Sequence, residues 1–178
     1  VRGIVEYEHY TGDATLRDEL TDNVDFLHRW FLKCRDARGL FFNPHRPIVN
    51  WMDNPITKLV KHQFETPFLA SNLRYLMFLD DVAAILKGAG YRESSERARA
   101  ERDAIASRIV PTFYDDRHGL LRELGDADLP FVASELSAAL AARAGLPDFD
   151  AVAHFDRYTS FAQTNPDAIP CSPFGKYE

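Results

Sequence analysis

Cysteine is nearly absent: only Cys34 and Cys171 occur in 178 residues, and they are isolated. Without CxxC spacing, neither a zinc site nor a disulfide framework is indicated, and free thiols are the expectation. No apolar run reaches the ~18 residues that suggest a membrane span, so no membrane is expected as a partner. Positive charge is not in excess either: 21 Lys and Arg stand against 27 Asp and Glu, a net charge of −6. The basic residues are dispersed, and no stripe of them would track a phosphate backbone, so no nucleic-acid partner is expected. GxSxG, P-loop, GxGxxG and HExxH motifs are missing. His9, His45, His118 and His154 lack metal-ligand spacing, and no cofactor or metal is expected. His28 and His62 stand singly on or near helices, where a core or solvated role is the commoner one.

What is present is helical. Hydrophobic residues make up 46% and charged residues 27%, the composition of a globular domain, and the length suits one core. Residues 1–10 read as a helix stopped by Thr11-Gly12-Asp13. Thr15 is the expected N-cap of the next helix, with Asp18 as capping-box partner. Leu16, Leu20, Val24, Leu27, Phe31 and Cys34 form its apolar stripe, widened by Trp30. Thr66-Pro67 reads as the N-cap and first residue of a helix that is apolar nearly all round and ends at Lys87-Gly88-Ala89-Gly90. The next helix, from Ser94 or Ser95, has a narrow apolar face at Ala98, Ile105 and Ile109, with Arg97, Arg99, Glu101 and Arg102 expected in solvent. Pro111 and the turn Asp115-Asp-Arg-His-Gly119 close it. A helix is expected over 129–144 with Val132, Leu136 and Leu140 inward, and a short one from Phe149 to about Tyr158. Buried and exposed helices thus alternate in antiparallel pairs, without a residue-level repeat. The fold class expected is all-α, either a curved helical array or part of an α/α toroid.

Between two long helices lies an aperiodic stretch, residues 40–65, holding His45, Asn50, Trp51 and Asp53. Segments of this kind are commonly functional. An indole offers a face to sugar C–H groups, and Asp and Asn bond hydroxyls bidentately. The alternative is that Trp51 and Ile48 plug the gap between hairpins while Asp53 caps a turn before Pro55. Glycoside hydrolysis needs two carboxyl groups about 5–9 Å apart, and Asp53, Glu65, Asp115, Asp116 and Glu123 lie in loops or at element ends. No pair among them stands out, and the catalytic residues stay unassigned.

Glu6-Tyr7-Glu8-His9-Tyr10-Thr11-Gly12-Asp13 resembles the tyrosine-rich helix end and turn of bacterial α-L-rhamnosidases and related six-hairpin glycosidases. Asp36-Ala-Arg-Gly39-Leu40 is similar to that family's acidic Gly-Leu turn, and Asn50-Trp51-Met-Asp53 to its Asp-Trp element, with Asn50 where Asp is usual. Thr66-Pro67 to Ala89-Gly90, Ser134-Glu135-Leu136 with Ala144-Gly145-Leu146, and Ile169-Pro170-Cys-Ser172-Pro173-Phe174 look like successive inner-helix elements in the family's order. The resemblance implies an α/α toroid of six hairpins with a carbohydrate substrate at one rim, cleaved with inversion by an acid and a base. The family's acid lies upstream of the matched part, and its base follows the helix that begins at Ser172; neither motif occurs here. The expectation is a single domain over 1–178 that is a piece of a larger toroid. It would contribute His45, Asn50, Trp51 and Asp53 to sugar binding, and self-association or the remainder of the ring would cover its open face. The other class in contention is a non-catalytic helical-repeat module that binds a protein or polysaccharide.

Overall fold

The structure is a computed structural model that describes residues 1–42, 66–129 and 131–164, and the backbone of 168 and 169. Six helices occur among the described residues: α1 (Arg2–Thr11), α2 (Thr15–Phe31), α3 (Leu69–Gly88), α4 (Arg92–Phe113), α5 (Glu135–Ala144) and α6 (Ala151–Ala162). They form three successive pairs. The first helices of the pairs, α1, α3 and α5, touch in that order, while α2 and α4 both pack on α3 and α6 packs on α5. None of these helices is long and apolar enough to cross a membrane.

The central position of α3 follows from its composition. Leu69, Leu73, Leu76, Leu79, Val82 and Leu86 are fully buried along one broad side, and Ile85 and Asp81 extend the buried surface beyond it. At ~1.5–3 kcal/mol for each fully buried aliphatic side chain, this helix is held by packing rather than by propensity. Ile105, Ile109 and Phe113 of α4, with Ala141 and Ala144 of α5, complete one core; Ile4 and Val24 join Val82 and Ile85 in a second. Small residues on α5 let it lie close against its neighbours. Ala138, Ala141 and Ala144 face inward there, whereas Leu136 and Leu140, expected to lead, are only half-buried.

Helix ends are set partly by local chemistry. Gly12 closes α1 at φ +70° with its N–H on Glu8 O, and Gly145 ends α5 at φ +58°; both conformations suit a residue without Cβ. Asp13, rather than Thr15, serves the start of α2: its Oδ1 accepts from the Thr15 N–H at 2.9 Å and the Thr15 hydroxyl at 2.6 Å. Asp150 caps α6 by accepting from Ala153 N at 3.0 Å. Asp150→Ala is expected to lower the stability of the chain by about 1 kcal/mol, read as a shift of the urea midpoint at constant m.

Among the described residues four two-residue strands accompany the helices: β1 (Tyr114–Asp115), β2 (Leu120–Leu121), β3 (Ala133–Ser134) and β4 (Ala168–Ile169). β1 and β2 pair antiparallel about the expected turn, and β3 pairs parallel with β4. Because Ala133 and Ser134 are drawn into strand β3, α5 begins at Glu135, six residues after the expected Leu129. Trp30 and Phe26 lie outward on α2, 45% and 65% exposed, so Trp30 does not widen the buried stripe.

Candidate functional site

The loops that precede α3 and α5 meet at the N-terminal ends of those helices. Phe68 forms an antiparallel bridge with Leu124, Gly125 N–H donates to Pro67 O at 3.0 Å, and Arg38 donates to Gly125 O. Thr66-Pro67 does not start α3. Phe68 is its extended N-cap residue, and the cap is supplied from far along the chain by Glu123. The Glu123 carbonyl accepts Leu69 N–H at 2.9 Å, and its carboxylate accepts the N–H of Ala70. The same carboxylate accepts the hydroxyl of Ser134, whose Oγ caps α5 by accepting Ser137 N–H at 3.1 Å. One carboxyl group therefore ties the N-termini of two successive inner helices, where the helix dipoles favour negative charge. Burial pushes its pKa up, against the lowering effect of the Ser134 bond and the Ala70 N–H. Only 3% exposed, Glu123 is a structural cap and is not placed to touch a ligand in solvent.

The chain enters the 43–65 stretch beside the same helix end. Asn72, fully buried in the first turn of α3, accepts Phe41 N–H at 2.8 Å and donates to Phe41 O at 3.1 Å and Phe68 O at 2.8 Å. Departure and return are thus clamped within one helical turn of each other. Arg35 and Phe41 form an isolated antiparallel bridge, and Asp36 closes the turn through Arg38 N–H and Leu40 N–H, both at 3.0 Å. This is the acidic Gly-Leu turn of the sequence.

Behind that turn lies a buried polar cluster. His28 Nε2 of α2 is 2.9 Å from Glu101 Oε2 of α4; Tyr75 of α3 donates its hydroxyl to Glu101 Oε1 at 2.5 Å; Arg35 is ion-paired with Oε1. Glu101 was expected in solvent with its arginine neighbours, yet it is 8% exposed. Desolvation raises the Glu101 pKa, but bonds from His28 and Tyr75 and the nearby Arg35 outweigh it and leave the group below the ordinary carboxylate value. Burial, then Glu101, drives Tyr75 up. Phe41 stacks on Tyr75 at 4.8 Å between ring centres, and Phe31 and Phe78 enclose the rest.

The other sequence candidates separate. Asp115 Oδ1 lies 2.8 Å from His118 Nδ1 and accepts His118 N–H at 3.0 Å; His118 stacks on Phe131 at 3.8 Å. Desolvation raises the Asp115 pKa, but the His118 bonds outweigh it and the value is lowered. Asp116 is exposed in the turn. His45, Asn50, Trp51, Asp53 and Glu65 lie outside the described residues, as do Cys171 and Ser172-Pro173. Cys34 is a free, half-buried thiol. Among the described residues, no three His, Cys, Asp or Glu side chains converge as a metal would require.

No family model matches the chain, and no curated protein matches it. A solved structure does: the crystal structure of a GH78 family rhamnosidase of Bacillus sp. GL1, with a TM-score of 0.75 and 20% sequence identity. The likeness is one of fold. It covers 93% of this chain and 17% of the rhamnosidase chain, so the present chain spans about a sixth of the protein it matches. The resemblance to rhamnosidase-like glycosidases read from the sequence motifs is borne out at that level. So is the all-α arrangement of antiparallel hairpins as part of an α/α toroid.

Proposed function

We propose that this chain is part of the toroidal catalytic domain of an α-L-rhamnosidase-like glycoside hydrolase, where it supplies part of the sugar-binding rim. The observation that carries the reading is the fold likeness over 93% of the chain, together with the family-like motifs in their expected order. In this reading the chain is one unit of a larger domain. Its rim face is the N-terminal end of α3 and α5, where the 43–65 stretch is rooted by Asn72 and Glu123. Trp51 stacks on the sugar, and Asn50, Asp53 and His45 bond its hydroxyls. The acid and base that invert the anomeric centre come from elsewhere in the protein. Outward-facing Phe26 and Trp30 on α2, and Tyr10 on α1 at 83% exposure, mark surface that the remaining hairpins or a second copy would cover.

The test uses the full-length product of the native gene and an aryl α-L-rhamnoside. Hydrolysis is expected, with NMR of the first-formed sugar showing inverted configuration. Trp51→Ala and Asp53→Ala are each expected to lower kcat/KM by roughly tenfold or more, the effect of losing ~1.4 kcal/mol of transition-state binding. Full activity in both variants would remove these residues from the sugar site. Binding of a polysaccharide without any hydrolysis would replace the enzyme reading with that of a binding module.

A further inference from the structure

The hub of the buried cluster, Glu101, gathers one residue from each of α2, α3 and the turn after α2. A buried ion cluster of this kind costs desolvation that an apolar core would avoid, so it is poor evidence of stabilisation. What it supplies is a single arrangement. The carboxylate is satisfied only when His28, Tyr75 and Arg35 all point at it, and a guanidinium presents its donors in a fixed plane. Arg35 is also the residue whose backbone bridges to Phe41, and the Phe41 ring lies flat on Tyr75. Both sides of the 35–41 turn are therefore referred to one carboxylate in the middle of α4.

We propose that Glu101 is a positioning residue: by holding Arg35 and Tyr75 together it fixes the Arg35–Phe41 turn, and with it the point from which the chain enters the rim. The effect on sugar binding rests on the rhamnosidase-like reading above. Glu101 touches no substrate; it acts through Arg35 and Phe41. Two amides report the position of the turn directly. Phe41 N–H donates to Asn72 Oδ1, and Phe42 N–H donates to Cys34 O at 3.0 Å.

The test is Glu101→Gln in the full-length protein, a change that keeps size and an acceptor for Tyr75 while removing the charge that holds Arg35. Hydrogen exchange at the Phe41 and Phe42 amides is expected to quicken roughly tenfold while Ile105 and Ile109 of α4 keep their protection. KM for an aryl α-L-rhamnoside is expected to rise by about five- to tenfold with kcat within about twofold, the pattern of lost binding geometry with intact chemistry. Arg35→Met approaches the pair from its half-exposed side, where folding is safer, and is expected to show the same two changes. Unchanged exchange at Phe41 and Phe42 in the folded variants overturns the proposal. So does a loss of protection spread evenly through α3 and α4, which is the mark of a general core residue. Faster exchange with an unchanged KM overturns the link to sugar binding. If the unsubstituted protein cleaves no glycoside, the rhamnosidase-like reading falls, while the exchange experiment still decides whether Glu101 fixes the turn.

Discussion

Phe113→Ala is expected to destabilise the chain by about 3–5 kcal/mol, the range for deleting a large aromatic side chain from a core. Phe113 is the last residue of α4 and is fully buried. Its ring packs in the main core with Leu69, Leu73 and Leu121, and on one side it faces backbone. A Cβ placed on Gly125 would lie 3.3 Å from the ring, so no side chain stands between them. Walls made of backbone that is itself hydrogen-bonded, here Gly125 N–H to Pro67 O, relax little into a cavity, which places the cost high in the range. The same ring supports the segment that returns the chain to α3, so the loss is expected to loosen residues 66–68 before the rest. Urea unfolding reads the change as a lower midpoint at unchanged m, and Phe113→Leu, which refills most of the volume, is expected to cost less than half as much. A shift below about 1 kcal/mol for the alanine variant would show that the site collapses freely.

Residues that pack against their own sequence neighbours were the legible ones. The four-and-three spacing along residues 16–31, the all-round apolar run of α3 and the glycine stops at 12, 90, 119 and 145 each carry their information within a turn of helix, so periodicity and turn chemistry suffice. Failures occur where a partner comes from far along the chain. Glu101 reads as one more charge on an exposed face, because its partners stand 26 and 73 residues away. Thr66-Pro67 has the local form of a helix start, yet Glu123 caps α3 from outside and leaves Phe68 extended in a bridge to Leu124. Leu129 to Ser134 has an apolar spacing compatible with a helix, but pairing of β3 with β4 and the bond from Glu123 N–H to Val132 O draw the backbone straight. One signal could have identified Glu123: it stands among Leu120, Leu121 and Leu124, a setting in which an ionisable group needs partners. The residues proposed for the sugar site were legible only as chemistry. Where Trp51 and Asp53 sit is a matter of tertiary placement that composition does not encode, although the structure does place the two roots of their segment at the start of α3.

Lowering the pH from 7 to 4.5 is expected to cost about 2–3 kcal/mol of stability through His154 alone. His154 lies in α6, 5% exposed, with its ring 5.1 Å from that of Phe149 and its Nδ1 without a hydrogen-bond partner. Burial, then the charge of Arg157, lowers its pKa from 6.5 to about 4. The sign follows from where the proton binds. Between these two values the unfolded chain takes up a proton that the folded chain refuses, so stability is intact above about pH 6.5 and falls as the pH drops towards 4. Carboxyl groups add their own pH dependence: Glu101 and Asp115, held low, lose stability in the same direction at still lower pH, while Glu123 and Asp81, both raised by burial, oppose it. Comparison with His154→Leu removes these common contributions, since the variant keeps all four carboxyl groups. Urea midpoints measured across pH 4.5–7 are expected to fall more steeply for the unsubstituted chain than for the variant, and the gap should open below pH 6.5. Parallel profiles would mean that His154 finds a partner for its charged form, such as a water reaching Nδ1, and that α6 is less tightly closed over Phe149 than its burial implies.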